Sequence, residues 1–147
     1  MMNDYDYEDI YQTVKDPRWT IDMLSQMCLD ASKDLNGDGK YTPEADQFGI
    51  SFNNDNTTLN FMYGSGIQSV IKDDSGYPTP NVNTDQMQKL FEKVHTLAYE
   101  GNRAILTDYS TQMELGRGGF KDGRIMFFAG SVGDAANLRD MERDPGR

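Results

Sequence analysis

The run Asp34-Leu35-Asn36-Gly37-Asp38-Gly39-Lys40 constrains this chain more than any other stretch, because alternating oxygen-bearing side chains closed by glycine restrict the backbone to a tight loop. In calcium loops of this kind, positions 1, 3 and 5 turn side-chain oxygens inward, position 6 is glycine for the sharp turn, and position 7 gives its backbone carbonyl. Here those are Asp34, Asn36, Asp38, Gly39 and Lys40. A set made only of hard oxygens predicts Ca2+. Position 12, where a bidentate glutamate normally closes the shell, is Ala45, flanked by Glu44 and Asp46. A one-residue bulge near Thr42-Pro43 brings Asp46 to the closing place, with Thr42 near the ion or its water, and Glu44 is the alternative closer. The competing reading is an acidic turn, since Asp, Asn and Gly favour loops for local reasons.

Elements on both sides of the loop follow from periodicity. Ile21, Leu24, Cys28 and Ala31 recur at spacings of three and four, which predicts a helix over 20 to about 33 with Thr20 as its N-cap. Trp19 precedes the cap and is placed to pack on Leu24, or else to stack on a ligand. Phe48-Gly49-Ile50-Ser51-Phe52 alternates and reads as a strand. A helix starting at 57–61 is stopped by Gly64-Ser65-Gly66. Ser69-Val70-Ile71 and residues 77–82 flank Asp73-Asp74-Ser75-Gly76 as a hairpin, and Pro78 and Pro80 confine its second arm to an edge. The clearest helix runs over 84–100, with Met87, Leu90, Phe91, Val94, Leu97 and Ala98 on one face, an Asn83–Gln86 capping box, and Gly101-Asn102 as its stop. Residues 109–121 form a weaker helix, since Gly116, Gly118 and Gly119 each cost about 1 kcal/mol. Ile125-Met126-Phe127-Phe128-Ala129 has the length of a buried strand, and Gly130-Ser131-Val132-Gly133 leads into a short helix through Ala135, Leu138 and Met141. Strands alternating with helices predict an α/β layer architecture.

With 147 residues the chain has the length of one domain, 1–147, and its net charge of −10 repels phosphate backbones and anionic lipid, so no nucleic acid is expected as a partner. No apolar run reaches a membrane span, the start lacks the regions of a signal peptide, and Cys28 stands alone. The glycines around Arg117 lack the Gly-Lys-Ser/Thr of a phosphate loop, and Gly130-Ser131-Val132-Gly133 is not a nucleophile elbow. His95, the only histidine, borders an apolar stripe with no partner placed for it. The expectation is a non-enzyme.

Three landmarks in order carry a family resemblance. They are Arg18-Trp19-Thr20-Ile21-Asp22; the run 34–40 followed by Asp46-Gln47-Phe48-Gly49-Ile50; and Phe120-Lys121-Asp122-Gly123-Arg124-Ile125-Met126-Phe127. With the Leu138-Arg139-Asp140-Met141-Glu142 tail, this order resembles the family 1 extracellular solute-binding proteins, the sugar-capturing receptors of bacterial ABC importers. The resemblance implies the middle of a longer protein, a helix-rich partial lobe of a bilobed periplasmic-binding-protein-like fold, with an extracellular or cell-surface parent, secreted or membrane-tethered. Its implied partners are an oligosaccharide ligand and ABC permease subunits. The tail Asp144-Pro145-Gly146-Arg147 departs from the family.

Sugars need aromatic faces for their C–H surfaces and hydroxyl or amide groups for orientation. Tyr63, Ser65 and Gly66 after one helix, and Phe128, Gly130 and Ser131 after the buried strand, are the candidate ligand contacts, because α/β sheets open their crevice beyond the strands' carboxyl ends. Two other classes compete. A calcium-dependent, dockerin-like interaction module would need a second, duplicated loop, and a secreted hydrolase fragment would need a paired-carboxylate cleft.

Overall fold

A computed structural model describes residues 5, 7, 9–53, 56–108, 113–139 and 141. A short helix, α1 (Ile10–Lys15), begins where the Asp9 carboxylate accepts the Tyr11 amide at 2.9 Å. Helix α2 (Ile21–Ala31) starts as its sequence dictates, with the Thr20 hydroxyl accepting the Met23 amide at 3.2 Å. The loop then leads into β1 (Phe48–Asn53), α3 (Asn56–Gly64) and a hairpin of β2 (Val70–Lys72) and β3 (Pro78–Pro80). Helix α4 (Asp85–Tyr99) follows, then β4 (Ala104–Thr107), α5 (Met113–Lys121), β5 (Ile125–Ala129) and a single turn, α6 (Asp134–Asn137).

Several details differ from the sequence reading: α1 was not foreseen, and α6 ends at Asn137, short of Leu138 and Met141. Thr84, not Asn83, caps α4, its hydroxyl accepting the Met87 amide at 3.2 Å. Strand β4 was not foreseen, because four residues after a Gly-Asn stop carry too little pattern to show. Of the expected helix over 109–121, residues 109–112 lie outside those described, as do Asp140 and Glu142 of the tail.

The sheet has the order β4-β1-β5 with both pairings parallel, so β1 is central: Ile50 lies opposite Ala104 and Phe127, and Phe52 opposite Leu106 and Ala129. Leu24, Cys28 and Leu97 from α2 and α4 bury against Ile50 and Phe52 on one face. On the other, Phe48, Ile105 and Ile125 pack with Phe120 of α5. Mixed α/β layering is therefore the observed architecture.

Close contacts set both faces. Gly49 and Ile50 each donate to the Arg103 carbonyl at 3.0 Å, a local bulge in β1, and a Cβ on Gly49 would overlap the Cys28 main chain. Helix α2 thus lies hard on β1. In α5, a Cβ on Gly116 would overlap the Ser51 hydroxyl and one on Gly119 would press on Ile125, whereas Gly118 faces open space. The glycines that weaken α5 as a helix let it reach the sheet. The β2–β3 hairpin stands outside this core with every strand residue exposed. Among the described residues no helix is long and apolar enough to cross a membrane.

Candidate functional site

Loop 34–46 closes on itself through its oxygens. Asp34 accepts the Gly37 amide at 2.6 Å and the Gly39 amide at 2.8 Å, Asn36 accepts the Asp38 amide at 2.9 Å, and Asp38 accepts the Lys40 amide at 2.7 Å. Gly37 and Gly39 have φ of 73° and 78°, a left-handed backbone that glycine adopts without strain. At the base, Lys33 and Gln47 exchange two backbone hydrogen bonds of 2.9 and 3.0 Å. Tyr41 sets its ring edge-on to Phe48 at 6.0 Å, and the Arg124 guanidinium donates to the Pro43 carbonyl. The loop is therefore anchored to the amino ends of β1 and β5.

Of the two possible closers, Asp46 turns inward and Glu44 is exposed. The buried Asp46 carboxylate accepts the Leu35 amide at 3.0 Å and the Thr42 amide at 2.8 Å. The Thr42 amide, followed by those of Leu35 and Asn36, holds its carboxyl below the usual aspartate range against the opposing effect of burial. The side-chain donors are hard oxygens, as calcium requires. Among the described residues, however, no three His, Cys, Asp or Glu side chains gather as a ready metal cluster. The loop amides take up oxygens that an ion would share: each Asp34 oxygen accepts one amide and keeps a further lone pair, whereas the two Asp46 oxygens receive the Thr42, Leu35 and Asn36 amides.

The expected ligand contacts fall into three surroundings. Tyr63, strongly exposed, and Gly66 line a hollow of about 570 Å³ with Val70, Lys72 and Pro78 of the hairpin. Ser65 lines a separate hollow beside Trp19, while its hydroxyl donates to the Met62 carbonyl at 2.6 Å and accepts the Ile67 amide at 3.2 Å. At the carboxyl edge of the sheet, Phe128 packs on Phe120 at 6.0 Å, and Gly130 passes so close to Asp134 that a Cβ would crowd it. The Ser131 amide and hydroxyl both donate to Asp134 Oδ2 at 2.8 Å.

Sequence reasoning missed the centre of this last group. Asp134 Oδ1 accepts Arg117 Nη2 at 2.9 Å, and Arg117 Nη1 reaches Glu114 at 2.6 Å. The Ser131 hydrogen bonds, with Arg117 adding to them, hold the Asp134 carboxyl below its ordinary range. Ser131-Val132-Gly133-Asp134 has the spacing of a capping box, a signal that could have found that half. Arg117 joins it only through the fold, by way of α5. Beside it, Ser51 Oγ and Arg117 Nε are buried without a hydrogen-bond partner among the described residues.

His95 is exposed on α4, its ring tilted 38° against that of Tyr99 at 5.1 Å and its Nδ1 3.6 Å from Glu100. Cys28 is sealed in the core, and burial pushes its thiol up to about 12. Comparison with known proteins adds no relative: no family description, curated protein or solved structure matches the chain.

Proposed function

We propose that this chain is the carbohydrate-binding part of an extracellular or cell-surface receptor that feeds an ABC importer, is not an enzyme, and uses loop 34–46 as a structural Ca2+ site. The observation that carries the reading is the loop itself. Its oxygens from Asp34, Asn36, Asp38 and Asp46 all accept amides of the loop itself, and it joins α2 to the central strand of a parallel sheet. That is the order of landmarks on which the family resemblance rests. An ion held there would also draw on the Lys40 carbonyl and Thr42, and would brace the amino end of the sheet. Sugar capture would then belong to the carboxyl edge and the α3 side, where Ser131, Gly130 and Ser65 lie, with a second lobe closing over the ligand and permease subunits receiving the loaded receptor.

Calorimetric titration of metal-stripped protein with calcium tests the loop, with Asp34→Ala and Asp38→Ala as controls. The expected result is one saturable site and a rise in melting temperature, since binding to the folded state alone stabilises it. No heat from the wild type, or equal binding by both variants, would overturn it.

A further inference from the structure

Between the start of α2 and the end of α3 lies a hollow of about 310 Å³. Trp19 and Phe61 provide its aromatic surface, Leu24 adds to it, and Thr20, Asn60 and Ser65 form the polar part. Among the described residues no ionisable side chain lines it, although 26% of the chain is charged. The larger hollow along α4 takes in Asp85, Glu92, His95 and Glu100, and the one between α2 and α4 takes in Asp22, Lys89, Glu92 and Lys93.

Both aromatic rings are held by the core. Trp19 meets Phe127 edge-on at 6.4 Å, and Phe61 meets Phe52 edge-on at 6.0 Å. Little ordering is left for a ligand to impose. The polar groups retain capacity. The side-chain amide of the exposed Asn60 makes no hydrogen bond among the described residues. Among the described residues the Thr20 hydroxyl accepts from Met23 and donates to none, which leaves its proton for a ligand. Ser65 Oγ keeps a lone pair.

We propose that this hollow binds a neutral pyranose ring, its C–H face on the Trp19 indole and its hydroxyl edge toward Asn60, Thr20 and Ser65. The proposal rests on the carbohydrate reading above and moves the stacking contact from Tyr63 to Trp19. A charged ligand would find no counter-charge here. A wholly apolar occupant would strip water from Asn60 and Thr20 and return no hydrogen bonds. A sugar has one apolar face and a rim of donors and acceptors, which matches both.

Trp19 is the only tryptophan, so its emission reports on this hollow alone. The intact chain is titrated with neutral mono- and oligosaccharides, and with a uronic acid, up to concentrations on the order of tens of millimolar, the range a weak one-faced site requires. A saturable emission change with neutral sugars is expected, matched by calorimetric heat. Asn60→Ala should weaken it roughly fivefold, the loss of about one net hydrogen bond, at unchanged melting temperature. Heat that is unaffected by Asn60→Ala and abolished by Ser131→Ala would overturn this site and keep the carbohydrate reading. Emission that follows protein concentration instead of sugar would overturn it in favour of a second copy filling the hollow. No emission change at all would overturn it while leaving calcium binding by the loop as a separate result.

Discussion

A single added methyl group should separate two kinds of glycine within α5. At Gly116 it would meet the buried Ser51 hydroxyl and the Thr107 methyl, so Gly116→Ala should cost about 1–3 kcal/mol through overpacking. At Gly118 it would enter open space and add helix propensity, so Gly118→Ala should stabilise by up to about 1 kcal/mol. Urea midpoints check this; Gly116→Ala at or above wild type would mean that α5 does not rest on Ser51. Gly49→Ala should be the worst of the three, because its methyl meets the Cys28 main chain, which cannot rotate aside. In the sequence these glycines look alike, each a helix or strand weakener. Only the seating of α2 and α5 on the sheet tells them apart.

The loop and the sheet edge each make an element-scale prediction. Asp46 faces inward and Glu44 outward, so Asp46→Asn should lower calcium affinity far more than Glu44→Gln, because carboxylate count tunes such sites. The reverse order in calorimetry would reassign the closing residue. At the sheet edge, the Asp134 carboxyl is depressed by Ser131 and Arg117. A depressed folded value means stability that is present above the unfolded carboxylate range and lost as pH falls below about 4 toward the folded value. Melting temperatures of Asp134→Asn should therefore fall less steeply than wild type through that acid range; parallel curves would contradict it. The turn of the loop was legible from seven residues because its hydrogen bonding is local. Strand β4 and the Arg117–Asp134 pair were not, since β4 has two buried residues and the pair spans 17 positions joined by the fold. The Trp19 hollow was half legible: the tryptophan stood out, but Asn60 and Phe61 reach it only through α3.

Across the whole molecule, the parallel sheet presents all three carboxyl edges in one direction, and a receptor of the proposed class draws its affinity from a second lobe closing over that edge. This chain alone should hold oligosaccharides only at the millimolar level, because one open face cannot exclude water or supply all the contacts. Tight, selective binding on a glycan array would mean that the whole site lies within it. Alternation of strands and helices was enough to anticipate the α/β layers, whereas the order β4-β1-β5 needed long-range pairing that no local pattern encodes. The seal over Cys28 makes its thiol a clock. As the sole cysteine, fully buried and raised to about 12, it should ignore thiol reagents until α2 lifts from β1. The rate at which a disulfide reagent modifies it then counts openings of the core one molecule at a time. If calcium steadies the loop that joins those two elements, adding the ion should slow that clock.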